Sequence, residues 1–194
     1  MPEVRSPIGF VVAGGKSERM GRDKALLPWR GTTLIEHALL RLRVACGEAR
    51  VLCGPDRRYH DLGVDVHVDL QPGSGPLGAV LTGLEVSPRG LGLFLAVDLP
   101  NVPMELLAFL LARSEGWDAV VPVHRRGEEP LCAVYASSCL APVRRRLAAG
   151  DLKMTSFWPE VRVRTVTEAE IGAFGDPDHL FRNLNGPGDL EGSD

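Results

Sequence analysis

The sequence predicts an α/β fold with a mainly parallel central sheet, and three observations carry that prediction. Two apolar runs, "IGFVVA" and "LGLFLAVD", lack polar alternation, as expected of strands covered by helices on both faces. Strand-like and helix-like segments alternate along the chain. No internal repeat or long linker interrupts them, so residues 1–194 read as a single domain.

The elements follow in order. Residues 8–13 form a buried strand that the pair Gly14-Gly15 turns sharply. Thr33 stands three residues before Glu36 and ahead of Leu34, Ile35, Ala38, Leu39 and Leu42. That is a capping box opening an amphipathic helix, with Gly47 as its stop. Residues 49–53 form a strand closed by Gly54-Pro55, and Val64, Val66 and Val68 alternate with Asp65 and His67 as a wetter strand. After the loop "LQPGSGPLG" a helix is expected over 77–85, then the doubly covered strand of 91–98. Pro103 suits the first turn of a helix over 104–114. Strands at "DAVVPV" and "LCAVY" flank the charged loop "HRRGEEP"; residues 137–149 are helical, 161–166 form a last strand, and the tail is turn-rich.

Composition narrows the function. Apolar residues make up 44% of the chain, enough for a packed core, and the net charge of −3 provides no basic field for nucleic acid. Cys46, Cys53, Cys132 and Cys139 form no C-x-x-C pair and no His lies at ligand spacing, so buried free thiols in a reducing compartment are expected. The start "MPEVRSPIG" lacks the apolar core of a signal peptide, and the apolar runs are too short to span a bilayer. A soluble cytoplasmic protein with a small-molecule partner and no membrane contact is expected.

In open α/β sheets ligands sit beyond the carboxyl ends of the strands, which directs attention to the loops after Ala13, Val68 and Val97. The first is "FVVAGGKSERMGRDKALLPW". Gly15-Lys16-Ser17 suggests a P-loop, but Phe10 stands where its first glycine must be, and Lys16 takes the place of the second glycine of G-x-G-x-x-G. Both familiar phosphate cradles are excluded by spacing. The ingredients of an anion site remain: glycines that let backbone N–H groups approach, with Arg19 and Lys24 for charge-assisted contacts. The other reading is a strand-to-helix turn with solvated charges.

The whole string A-G-G-x-S-x-R-M-G-x-D-K-A-L-L, over 13–27, resembles the signature of small nucleotidyltransferases. Gly14-Gly15 with Asp23-Lys24 looks most like the molybdenum cofactor guanylyltransferase family. The resemblance continues through "PGSGPLGA", "VDLPNVP", "PLCAVY" and "NLNGPGDL", in order over most of the chain. It implies a three-layer, Rossmann-like nucleotidyltransferase domain with Mg²⁺ as cofactor and GTP and molybdopterin as substrates. It also implies passing contact with other proteins that make or accept the molybdenum cofactor. By resemblance, Val12, Ala13, Gly14, Gly15, Arg19 and Lys24 would hold the nucleotide, Arg19, Lys24 and Asp98 would serve the chemistry, and Asp98 would hold the metal.

Asp98 follows the most apolar strand and precedes Leu99-Pro100. It is either a magnesium ligand, since Mg²⁺ takes one or two carboxylates plus waters and phosphates, or an Asp that bonds N–H groups of its own turn. In the family, Asp69 and the Gly-Pro-Leu loop bind guanine. Physically, either the carboxylate or backbone carbonyls can accept from the donors on the guanine edge. The family's loop ends Gly-Pro-Leu-Ala-Gly, whereas here Gly78-Ala79 stand exchanged or shifted, with Gly78 offering close backbone approach. "NLNGPGDL" resembles the family's N-x-N-T-P-x-D-L, placing Asn183 and Asn185 near the transfer site, with Gly186 in place of the threonine. Arg125, Arg126 and Lys153 are either contacts for the second substrate or surface charges. The histidines are scattered with no partner legible in sequence.

The reaction so implied is attack of the terminal phosphate of molybdopterin on the α-phosphorus of GTP, releasing pyrophosphate. The alternatives are a cytidylyltransferase acting on molybdopterin or on a sugar or polyol phosphate, and a nucleotide-sensing module without chemistry. Gly14-Gly15 with Asp23-Lys24 favours GTP over CTP, and Lys24 together with Asp98 favours an enzyme over a sensor.

Overall fold

The computed structural model describes residues 7–14, 23–56, 58–87 and 90–184. Strand β1 (Ile8–Val12) opens it. A 3₁₀ turn over Lys24–Leu26 leads to a small hairpin of β2 (Pro28–Trp29) and β3 (Thr32–Thr33). Arg30 and Gly31 both have positive φ, 46° and 82°, the geometry of a tight hairpin turn. This hairpin was not expected from sequence, and it delivers Thr33 to the start of helix α1 (Leu34–Cys46). There the capping box is complete in both directions and Gly47 closes the helix at φ 80°.

Strand β4 (Ala49–Leu52), the short β5 (Val66–His67) and helix α2 (Gly75–Glu85) follow. Strand β5 is shorter than the alternating valines suggest, because it lies at the sheet edge and pairs with β4 only at Val51–Val66 and Leu52–His67. Helix α2 begins at Gly75, two residues ahead of the expected start. Next come β6 (Leu91–Ala96), α3 (Met104–Ala112), β7 (Ala119–His124), β8 (Gly127–Glu128) and β9 (Cys132–Ala136). Pro103 is the cap of α3 rather than a first-turn residue. A 3₁₀ turn over Ser137–Cys139 precedes α4 (Leu140–Ala148), and β10 (Val163–Val166), α5 (Glu168–Ile171) and α6 (Pro177–Leu180) complete the chain.

The main sheet runs β10-β7-β9-β6-β1-β4-β5, with β8 hairpinned on β7. It is mainly parallel; β9 alone runs against both of its neighbours, β6 and β7, within that order. Every residue of β6 is buried, because helices pack on both faces. Val11, Leu93 and Leu95 join α1 and α3 in one apolar cluster. Phe10, Phe94 and Tyr135 join α2 and α4 in the other. The register pairs Phe10 with Phe94 and stacks their rings 5.1 Å apart, and Tyr135 meets Phe94 edge-on at 5.7 Å. Such aromatic contacts add about 0.5–1.5 kcal/mol each beyond area burial. All four cysteines are free thiols, Cys53, Cys132 and Cys139 fully buried, and burial pushes Cys46 and Cys139 up to about 12. No helix among the described residues is long and apolar enough to cross a membrane.

Candidate active site

Three parallel strands end together. The Ala13 N–H donates to the Leu52 carbonyl at 2.9 Å, and the Val97 N–H donates to the Val12 carbonyl at 3.1 Å. The edge strand joins them, because the Asp69 N–H donates to the Gly54 carbonyl at 2.8 Å. The points where the chain leaves these strands, at Ala13-Gly14, Asp69 and Val97-Asp98, therefore lie together, with Cys53-Gly54 between them. Gly14 and Gly54 meet backbone to backbone: a Cβ on Gly14 would lie 2.7 Å from the Gly54 nitrogen.

Lys24 and Asp98, 74 residues apart, meet at this end of the sheet, Nζ to Oδ2 at 3.0 Å. Both are partly buried, with side chains 17% and 30% exposed. Two networks hold them there. Asp23 caps the 3₁₀ turn carrying Lys24 by accepting from the Ala25 N–H at 3.0 Å. Its other oxygen accepts from Arg58 at 3.1 Å and from the Tyr59 hydroxyl at 2.7 Å, tying that turn to the loop after β4. On the other side, the Leu184 N–H donates to the Asp98 carbonyl at 3.1 Å. This bond brings Leu184 to Asp98, with Asn183 exposed next to it in the chain.

Asp69 is 9% exposed, and its Oδ1 is buried without a hydrogen-bond partner among the described residues. Burial pushes its carboxyl above the ordinary value. The segment that follows is pinned by Thr82 of α2, whose hydroxyl accepts from the Leu70 N–H at 3.0 Å and donates to the Gly78 carbonyl at 2.9 Å. A Cβ on Gly78 would meet Ser74 Cβ at 2.7 Å. The smallness of Gly78 thus serves the packing of its own first helical turn.

Residues 9–162 match the family model described as the MobA-like NTP transferase domain. The chain belongs to this family. It is 35% identical over 182 residues to a protein of Pelotomaculum thermopropionicum named "Probable molybdenum cofactor guanylyltransferase", covering 94% of this chain and 89% of that one. Among solved structures it superposes on molybdopterin-guanine dinucleotide biosynthesis protein A of Archaeoglobus fulgidus with a TM-score of 0.79 and 25% identity, covering 95% and 94% of the two chains. A 2-C-methyl-D-erythritol 4-phosphate cytidylyltransferase of Thermus thermophilus gives 0.65 at 19% identity over 93% and 94%, a likeness of fold alone.

In this MobA-like chain, Val12, Ala13, Gly14, Lys24, Asp69, Asp98 and Asn183 lie on the converging loops and strand ends. Gly15, Arg19 and Asn185 fall outside the described residues. Arg125 and Arg126 both pair with Asp178 of α6, Arg126 Nε at 3.1 Å, and are engaged within the fold. Lys153 is exposed on the segment after α4.

Sequence reasoning missed three groups of residues here. Asp23 looked like one letter of a motif and is a structural hub. Arg41, 4% exposed, donates to the Leu99 carbonyl at 3.0 Å and the Val102 carbonyl at 2.5 Å, while burial lowers its guanidinium to about 10. His124 has the partner that sequence could not identify, Glu129 Oε1 at 2.9 Å from its Nε2, and its ring stacks on Phe181 at 5.1 Å. Burial raises the Glu129 carboxyl, the nearby charge of Asp98 adds to the rise, and His124 opposes it. Only the β9 direction, which sequence leaves open, brings Glu129 to this end.

Proposed function

We propose that the chain is a molybdenum cofactor guanylyltransferase, transferring GMP from GTP to the terminal phosphate of molybdopterin with release of pyrophosphate. The observation that carries this reading is the Lys24–Asp98 pair at the convergence of the strand ends, in a chain of the MobA-like family. A phosphate monoester has its second pKa near about 6 and is mostly dianionic at neutral pH. The nucleophile needs no strong base, and the work left to the protein is positioning and charge neutralisation.

The chain's own residues divide that work. The backbone of Val12, Ala13 and Gly14 lies against the nucleotide, with Gly15 next in the chain as a further contact. An ammonium carries three donors, and Lys24 spends one on Asp98, leaving two for phosphate oxygens; Arg19 adds a second cation. Asp69, buried and with a free acceptor, reads the guanine edge by accepting its N–H donors. Asn183 and Asn185 orient the reacting phosphates.

The donor set also suits Mg²⁺. Asp98 offers hard oxygens, and no cluster of three His, Cys, Asp or Glu side chains able to hold a metal exists among the described residues. Mg²⁺ takes one or two carboxylates and completes its shell with waters and substrate phosphates. When bound at Asp98, Mg²⁺ supplies neutralisation of charge on the phosphate oxygens. The chain acts as a single domain in the cytoplasm, exchanging the pterin with other proteins of that biosynthesis.

The test is pyrophosphate release from GTP, Mg²⁺ and molybdopterin. Removing one group that stabilises transition-state charge costs about 10²–10³ in kcat, so Asp98→Asn and Lys24→Met should each lose that much while melting near the parent. Parental activity in Asp98→Asn overturns the mechanism. Preference for CTP in competition overturns the substrate and returns the cytidylyltransferase alternative.

A further inference from the structure

The buried face of α1 carries Leu34, Ile35, Ala38, Leu39 and Leu42, and among them Arg41. An arginine in such a place is costly, because a buried cation must be paired or neutralised. Arg41 forms no ion pair with a carboxylate among the described residues. Nη1 donates to the carbonyls of Leu99 at 3.0 Å and Val102 at 2.5 Å, and Nε to that of His37 in its own helix at 3.4 Å, while Nη2 is buried with no hydrogen-bond partner among the described residues. His37 adds a third tie to the same turn, with Nε2 3.2 Å from the Pro100 carbonyl. A carbonyl only accepts, so that ring nitrogen carries the proton.

The carbonyls of residues 99, 100 and 102 are thus fastened to one helix immediately after Asp98. On its other side Asp98 is fixed by the Val97 N–H in the sheet and by the Leu184 N–H at its own carbonyl. A methionine would fill the space beneath the turn without the cost of burying charge, so packing does not explain the guanidinium. Nη1 alone serves both carbonyls of the turn, held in direction by the rigid guanidinium plane, a fixed geometry that an ammonium on a flexible stem lacks.

We propose that Arg41 is a positioning residue for the transfer reaction, holding the 99–102 turn so that the Asp98 carboxylate faces Lys24. The inference rests on the role given to Asp98 above. Arg41 touches no substrate, so its removal should act on turnover and on metal affinity more than on nucleotide binding.

The experiment compares Arg41→Met, Arg41→Lys and His37→Phe with Asp98→Asn and with Arg43→Met, an exposed position of the same helix. Steady-state kinetics are combined with Mn²⁺ titration of the protein–GTP complex by electron paramagnetic resonance, and rates are expressed per folded molecule. A displacement of about 1 Å can cost about 10²-fold in rate. Arg41→Met should therefore lose about that factor in kcat, with KM for GTP changed less than about threefold, and should bind Mn²⁺ about tenfold more weakly, as on loss of a residue that orients a metal ligand. Arg41→Lys should recover part of both, His37→Phe should shift both in the same direction by less, and Arg43→Met should match the parent. If Arg41→Met does not fold, His37→Phe and Arg41→Lys carry the test. Lower melting with parental kcat and Mn²⁺ affinity in these variants overturns the inference and leaves Arg41 a packing residue. Parental activity in Asp98→Asn instead overturns the role of Asp98 from which the inference starts.

Discussion

Gly14 looks from sequence like a glycine kept small for a phosphate, yet the atoms facing its missing side chain belong to Gly54. An ideal Cβ on Gly14 would lie 2.7 Å from the Gly54 nitrogen and 2.8 Å from its Cα. Both are backbone atoms, so no side chain can rotate away and one of the two loops must move. Overpacking a tight site costs about 1–3 kcal/mol, and a backbone contact belongs at the upper end. At about 2–4 °C per kcal/mol for a chain of this size, Gly14→Ala should melt about 6–12 °C below the parent. Gly54→Ala should also destabilise: its Cβ would sit 3.0 Å from Gly14 Cα, and its φ of +77° adds about 1–2 kcal/mol of left-handed strain. Once either loop has moved, the second alanine meets less resistance, so the double variant should lose less than the sum. Scanning calorimetry on the four proteins measures all of this. A melting point for Gly14→Ala within about 1 °C of the parent, with GTP affinity reduced, would refute the packing argument and restore a purely phosphate-facing glycine.

Two further substitutions probe the same end of the sheet. The Asp69 carboxyl is raised by burial, so its ionised form is disfavoured in the folded state; the penalty is absent below the ordinary aspartate value of 3.8 and complete above the folded value. Asp69→Asn should therefore raise stability to urea at pH 7 and lose that advantage as pH falls toward 3.8, while weakening GTP binding; a gain independent of pH contradicts the assignment. Asp23→Ala removes a cap worth about 1 kcal/mol and strands the Tyr59 hydroxyl, at about 1–3 kcal/mol. Its kcat should fall as Lys24 loosens, and Tyr59→Phe in that background should return part of the stability; parental kcat in Asp23→Ala counts against its role as the hub for Lys24.

What sequence disclosed, and what it concealed, follows from how local each signal is. The Thr33–Glu36 box and Gly47 delimit α1 correctly because caps are decided within one turn. The unbroken apolar run of β6 marks a strand covered on both sides, and its end locates Asp98. Arg41 was invisible for the opposite reason: an arginine in an amphipathic helix reads as a solvent-facing residue, and only the tertiary fold supplies the two carbonyls, of Leu99 and Val102, that receive its Nη1. Asp23 was seen as a letter beside Lys24, since Arg58 and Tyr59, 35 and 36 residues away, have no local mark of contact with it.

The direction of β9 has the largest consequence for the site. A strand's apolar pattern reads the same forwards and backwards, so its sense within a sheet has no local signature. The rule that ligands lie beyond the carboxyl ends of strands directs attention to loops that follow strands. Because β9 runs against β6, pairing Leu95 with Cys132 and bonding the Ala96 N–H to the Leu131 carbonyl, its amino end arrives where the other strands finish. Glu129 comes with it, close enough to Asp98 for the two charges to interact, and brings His124 and the Phe181 ring behind it. In a mixed sheet, then, the residues preceding an antiparallel strand belong in the search for a site on the same footing as those following a parallel one. Applied to "HRRGEEPLCAVY", that rule turns attention from Arg125 and Arg126, which Asp178 occupies, to the glutamate two residues before the strand's apolar run.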